Sequence, residues 1–190
     1  FPGSTSNHHL GTQLAMYGAA LEMKHFRDDY QKAVTKNARA FAKYLNDKGI
    51  PVEGGEDEGF THTHQVVIRV KKFGDGKDMA VRLEKNNVIV NFQALPDDET
   101  FYHPSGIRMG VQEMTRYGME EKDFETLASL IAGIVIDNKD MAGEVAKFRS
   151  GFSKMRFSFS FDETKSMLAS IFKSVFSDED SFGSFVEAIK

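Results

Sequence analysis

The sequence predicts an α+β fold, a small sheet with helices packed on it. Three observations lead there. Two long stretches, residues 12–47 and 119–139, repeat apolar residues at three- and four-residue spacing with charge between them, as a helix with one buried face does. Between them lie short runs rich in Val and Ile, bounded by Gly, Pro, Asn or Asp, which is how the strands of a small sheet read. These elements interleave along 190 residues that are 41% hydrophobic, enough to enclose one core or slightly more.

Leu14, Tyr17, Gly18 and Leu21, then Val34, Ala38, Phe41, Ala42 and Leu45, make the stripe of the first helix. The stripe lapses into charge at residues 25–29, where so long a helix is open to breaking. Asp47-Lys-Gly49 supplies a polar last turn and a glycine stop, and Pro51 prevents continuation. Pro51-Val-Glu begins a short strand, residues 54–59 form an acidic, glycine-rich turn, and residues 62–70 read as a strand with its apolar centre at 66–70. After a polar loop around Gly74 and Gly76, a short helix carries Met79 and Leu83 and ends at Asn86-Asn87. Val88-Ile-Val-Asn is again a strand, followed by the Asp97-Asp-Glu loop. Ile107-Arg-Met, between Gly106 and Gly110, is the next. The second long helix then buries Phe124, Leu127, Ala128, Ile131, Ile134 and Val135 behind an acidic first turn that suits the helix dipole.

The tail differs in character. Met155-Arg-Phe-Ser-Phe-Ser-Phe alternates strictly, which predicts a strand with Phe157, Phe159 and Phe161 on one face. Asp162-Glu-Thr-Lys is expected to cap a helix reaching about residue 176, and Asp178-Glu-Asp to open a last one. So much Phe needs a surface to cover, on this domain or on a second subunit.

Bulk properties exclude several functions. A net charge of −4, from 24 Lys and Arg against 28 acids, argues against a nucleic-acid partner, because phosphate binding needs a basic surface. Without cysteine there is no disulfide framework and no thiolate to serve as nucleophile or metal ligand. No apolar run approaches the roughly 20 residues of a membrane span, and no signal peptide opens the chain. The expectation is a soluble, cytoplasmic protein. Its first residue is Phe rather than Met, so the chain reads as a carboxy-terminal fragment.

The candidate chemistry centres on Arg108. A guanidinium on a strand has a rigid base, and two flanking glycines are expected to leave room for a planar anion at its two-pronged face. The alternative is an ordinary strand arginine paired with one of the acids. His62 and His64 lie on one face if both are in a strand, a spacing that can ligate a metal, but no third ligand accompanies them and no metal is expected. At the amino end, Ser4-Thr-Ser-Asn precedes the first helix, so Thr5 and Ser6 bring hydroxyls to free backbone N–H groups where an anion is favoured, unless Ser6 or Asn7 is simply the N-cap.

Ser105-Gly-Ile-Arg-Met-Gly, followed closely by Met114-Thr-Arg-Tyr-Gly-Met, resembles the serine hydroxymethyltransferase segment whose arginine grips the amino-acid carboxylate. Phe1-Pro-Gly-Ser-Thr-Ser-Asn-His-His-Leu and Val88-Ile-Val-Asn-Phe-Gln-Ala-Leu-Pro resemble two further segments of that family, in its order and in its archaeal-type wording. The resemblance covers residues 1–149 and implies a pyridoxal phosphate enzyme, a homodimer with an amino-acid substrate and a folate or pterin one-carbon carrier. It implies that residues 1–47 are the helical end of the large domain and its connecting helix, residues 48–149 the carboxy-terminal small domain, and residues 150–190 an extension. It assigns substrate contacts to Arg108, His64 and Asn91, and cofactor-phosphate contacts to Thr5 and Ser6. Phe92 and Gln93 depart from the family's commoner Lys-Asn, which keeps open a related aldolase or transaldolase acting on β-hydroxy amino acids. The lysine that carries the cofactor is implied to lie upstream, leaving the fragment inactive alone. A non-catalytic assembly module using the Phe-rich tail is the reading from a different class.

Overall fold

The structure, a computed structural model, describes residues 9–175 together with 181, 183, 184 and 187. These fall into two compact units, one of Phe26–Arg156 and one made from the chain ends, Phe1–His25 with Phe157–Lys190.

The first helix, α1 (Leu10–Asp47), runs unbroken for 38 residues. The charged stretch at 25–29 holds neither Gly nor Pro, so extension through it costs less than stopping and starting again. What changes there is burial: among the residues of α1, Tyr30 is the first to be buried, followed by Val34, Asn37, Ala38, Phe41, Ala42 and Leu45. The helix ends as the glycine stop predicts. Gly49 takes a left-handed φ of 87°, its N–H donates to Asn46, and the next N–H, from buried Ile50, donates back to Leu45.

Three antiparallel strands follow, β1 (Gln65–Arg69), β2 (Asn91–Gln93) and β3 (Gly106–Gly110), in the order β1-β3-β2 with the arginine strand in the middle. The register pairs Val66 with Met109 and Ile68 with Ile107, all buried. By alternation the opposite face carries Gln65, Val67 and Arg69 beside Gly110, Arg108 and Gly106, and then Asn91 and Gln93. Helix α2 (Gly76–Lys85) packs on β2 and β3 and against α4 (Glu121–Val135). Met79, Leu83, Phe124, Ala128, Ile131 and Ile134 close the core, with the Phe124 ring 5.3 Å from that of Phe41. This is the α+β layer that the sequence predicts.

Several elements differ from expectation. The strand expected from His62 begins only at Gln65; residues 62–64 are bends, so His62 and His64 do not share a strand face. Pro51-Val-Glu contributes one bridge, Val52 to Ile68. The strand expected at 88–91 starts at Asn91, because Asn87 takes a left-handed φ of 62° with its side chain bonded to Ala142, and Val88, Ile89 and Val90 enter no ladder. Leu127 is half-buried rather than buried. Two short helices, α3 (Gln112–Arg116) and α5 (Ala142–Ser150), were not legible: α3 is too short to show a period, and α5 buries only Val145.

The Phe-rich strand does not form. Phe157 has φ 56°, which ends the alternation, and Phe161 instead opens α6 (Phe161–Val175) with 82% of its surface exposed. The cap of α6 is Ser160 rather than Asp162: Ser160 N and Oγ donate to Glu163 Oε2 at 2.7 and 2.6 Å, and Glu163 N donates back at 3.3 Å. In the same unit the Phe159 ring lies 5.6 Å from that of His25. The helix expected from Asp178 falls largely outside the described residues.

Candidate functional site

The strand that presents Arg108 is held at both ends. At its start, the Asp98 carboxylate accepts from Leu95 N, Ser105 N and Ser105 Oγ at 2.8, 2.8 and 2.5 Å, clipping the loop that leads into Gly106. Gly76 N donates to Pro104 O at 2.8 Å, an approach so close that a Cβ on Gly76 would collide with that carbonyl. At its far end, Val111 N donates to His64 O, and Tyr30 of α1 donates its hydroxyl to Gln112 O at 3.0 Å. Asn37 completes the anchor, donating to Thr115 Oγ1 and Met119 O at 3.0 and 2.9 Å while Thr115 donates to Val111 O. A buried Asn bonded at both sites repays its desolvation and fixes α1 against the segment after the strand. The sequence signal was present: an Asn at 37 interrupts the apolar spacing 34, 38, 41.

The Asp98 carboxyl is held below the ordinary carboxylate range, first by the Leu95 N–H and then by the Ser105 hydroxyl. Because the folded pKa is lowered, this clip adds stability above the unfolded value near 3.9, and the increment disappears as pH falls through the folded value. Asp97 has the same sign, its proton made harder to bind chiefly by Arg69. Asp98→Asn is therefore expected to lower the melting temperature at pH 7 and to flatten its fall below about pH 4, where protonation already weakens the parental clip. Thermal unfolding followed by circular dichroism from pH 7 to 2.5 reads both effects; parallel curves would remove the clip's role.

The two arginines on the open face behave differently. Arg69 is consumed by ion pairs with Glu53 and, at 2.7 Å, with Asp97. Arg108 is half-buried, and among the described residues no acid pairs with it. It lines an open cavity of about 530 Å³ together with Lys77, Ala80, Val81, Glu84 and residues 89–92.

Asn91 is the direct cross-strand partner of Arg108, so register brings these two expected contacts together on one face. His64 is exposed, holds Val111 through its carbonyl and does not line the Arg108 cavity. His62 meets Arg39, whose guanidinium lies 2.7 Å from Nδ1. Thr5 and Ser6 lie outside the described residues. The glycines do not open space for an anion as expected. A Cβ on Gly106 would strike Gln93 O and Leu95 Cδ2, both at 2.7 Å, and one on Gly110 would strike the Gln112 side chain, so each glycine admits the chain's own neighbour. Lys77 is a site neighbour that the sequence did not single out, since α2 and β2 meet only in three dimensions.

Comparison with known proteins identifies a family for the chain. The family described as Serine hydroxymethyltransferase matches residues 1–131. Serine hydroxymethyltransferases of Pyrobaculum arsenaticum and Staphylothermus marinus are each 43% identical over 178 and 173 residues, 92% and 87% of this chain but 41% and 39% of theirs. The chain thus spans about two-fifths of the length of these relatives. A crystal structure of L-threonine transaldolase from Pseudomonas fluorescens superposes with a TM-score of 0.70 at 32% identity, over 83% of this chain and 36% of that one.

Proposed function

Because the chain belongs to the serine hydroxymethyltransferase family, we propose that it is the carboxy-terminal part of a pyridoxal phosphate enzyme that moves a hydroxymethyl group between serine and glycine. The observation that carries this reading is Arg108: a planar cation on a pinned central strand, with no acidic partner among the described residues, beside an open cavity. Two parallel N–H groups match one carboxylate. Holding the amino acid there sets which bond at its α-carbon stands across the cofactor plane, so Arg108 contributes orientation. Asn91, opposite it in register, contributes a polar contact to substrate or to a folate or pterin carrier.

The described residues do not fit attachment of the cofactor itself. Attachment calls for a lysine whose ammonium is desolvated or beside another cation so that it can lose its proton, and every described lysine is exposed except half-buried Lys48, which lines a different cavity. We place the cofactor lysine outside the described residues and expect this chain alone to be inactive. When bound, pyridoxal phosphate supplies the electron sink for the bond broken at the α-carbon. In this reading Thr5 and Ser6 contact the cofactor phosphate, and His64 stands at the rim. Residues 1–47 end the large domain and connect it onward, residues 48–149 form the small domain, and residues 150–190 form an extension. The enzyme is a cytoplasmic homodimer in one-carbon metabolism.

A second reading is a transaldolase of β-hydroxy amino acids, which keeps the same arginine and needs no one-carbon carrier. The structural likeness to L-threonine transaldolase favours it, as does the half-exposed Phe92 ring in the Arg108 cavity where the family commonly has lysine. The test is the visible absorbance of the complete enzyme with pyridoxal phosphate, with and without glycine, in parental and Arg108→Ala forms. A cofactor band that glycine perturbs in the parent and much less in the variant is expected. Absence of any band at saturating cofactor would overturn the enzyme reading.

A further inference from the structure

A second cavity, of about 280 Å³, lies against the face of the sheet opposite Arg108. Its floor is the apolar core itself: Met109 of β3, Phe41 of α1, Phe124 and Ile131 of α4 and Val145 of α5, all buried. Close-packed interiors leave few voids larger than a water molecule, and an apolar cavity of roughly 150 Å³ already holds one benzene. The lining suits a flat ring. Met109, Met114 and Met119 are unbranched and polarizable and make favourable sulfur–aromatic contacts, while Phe41, Phe124 and Phe148 offer edge-to-face partners. Asn87, left-handed and bonded to Ala142 O, leads Val88, Ile89 and Val90 off the ladder, and these apolar residues border the cavity without closing it. Polar groups stand only among the more exposed lining residues. There Glu113 and Arg149 bring opposite charges, Arg149 lying 4.9 Å from the Tyr117 ring and donating to Phe152 O, so neither an anion nor a cation is favoured. Water, which needs two to four polar partners, fills such a floor poorly.

We propose that this cavity binds a small uncharged aromatic molecule, mono- or bicyclic, at a site separate from the Arg108 cavity. Met109 and Arg108 are consecutive on β3 and point to opposite faces, so an occupant braces from behind the strand that presents Arg108. Such a ligand is held by buried apolar area and ring contacts alone, which sets a dissociation constant of about 0.1–1 mM for a ring of indole's size.

The experiment titrates indole with the 190-residue chain, which contains no tryptophan, so indole emission reports only the surroundings of the probe. A blue shift that saturates with a dissociation constant of about 0.1–1 mM is expected, together with a rise of a few degrees in melting temperature at saturating indole. Val145→Phe, from the floor, and Met114→Phe, from the half-buried wall, each put a ring into the cavity. Each is expected to weaken indole by about tenfold or more while circular dichroism keeps the parental spectrum; should one variant not fold, the other carries the test. Phe92→Ser removes a half-exposed ring outside this cavity and is expected to leave the affinity as it is in the parent. No saturable shift with the folded parent, or parental affinity in a folded filled variant, overturns the proposal. Weakening by Phe92→Ser to the same extent as by the filled variants would place indole on exposed apolar surface and overturn it equally.

Discussion

Truncation of Phe124 to alanine is expected to lower the stability of the unit of residues 26–156 by about 3–5 kcal/mol, the largest effect of any substitution considered. The ring is 1% exposed and stacks at a tilt of 52° on Phe41, which joins α4 to the buried half of α1. Truncation removes the ring's transfer energy and leaves a void that cannot collapse, because both helices are held elsewhere, α1 by its Asn37 and Tyr30 bonds. The site also borders a cavity of about 280 Å³ with Met109, Met119 and Ile131 on its wall, so the void adds to an existing gap. Against a total of about 5–15 kcal/mol for an ordinary domain, such a loss consumes much of the margin. Urea unfolding of the parent and of Phe124→Ala measures it, and a shift under 1 kcal/mol would mean that Phe124 is not part of a close-packed core.

Arg108→Lys keeps the charge and loses the fork. In the complete enzyme it is expected to weaken glycine binding roughly 10- to 100-fold, the range that follows from about 1.5–3 kcal/mol for a hydrogen bond to a charged group. Stability should stay within about 0.5 kcal/mol of the parent, because Arg108 holds no acid among the described residues and lies on the open face of the sheet. The pairing of outcomes separates the proposed role from a structural one. Arg69→Lys provides the contrast: that arginine joins Glu53 to Asp97, so its replacement should register in unfolding and leave glycine binding near the parental value. An Arg108→Lys enzyme with parental glycine affinity would end the clamp reading.

Much of the fold was legible because its signals are local. Apolar residues recurring every three or four positions committed residues 12–47 and 119–139 to helices whatever they packed against, and Gly49 with Pro51 marked where the first must stop. The misreadings share one cause. Alternation in Met155-Arg-Phe-Ser-Phe-Ser-Phe permits a strand but cannot supply its neighbour, and without a ladder partner Phe157 turned left-handed and Ser160 capped a helix instead. The same holds at residues 88–90, apolar enough for a strand yet led away by Asn87.

For the candidate site the division is sharper. Local chemistry left Arg108 open between an anion clamp and an ordinary paired strand arginine, and the resemblance of the surrounding wording to its family decided for the clamp. What the glycines do was decided by packing, which fills the space at Gly106 with Gln93 and Leu95 and at Gly110 with the side chain of Gln112 two residues on. Tertiary structure also decided which arginine is spent, since Glu53 and Asp97 reach Arg69 only across the fold, and it brought Lys77 and Phe92 into the Arg108 cavity. Sequence determined by itself the long helices, most of their buried positions beyond Tyr30 and the chemistry each side chain can offer, because these depend on neighbours within a turn or two, whereas the exposure of Leu14 and Tyr17 was not legible in their spacing. Pairing, vacancy and shared cavities depend on residues 13 to 82 positions apart in the chain, and that information exists only once the sheet has its register.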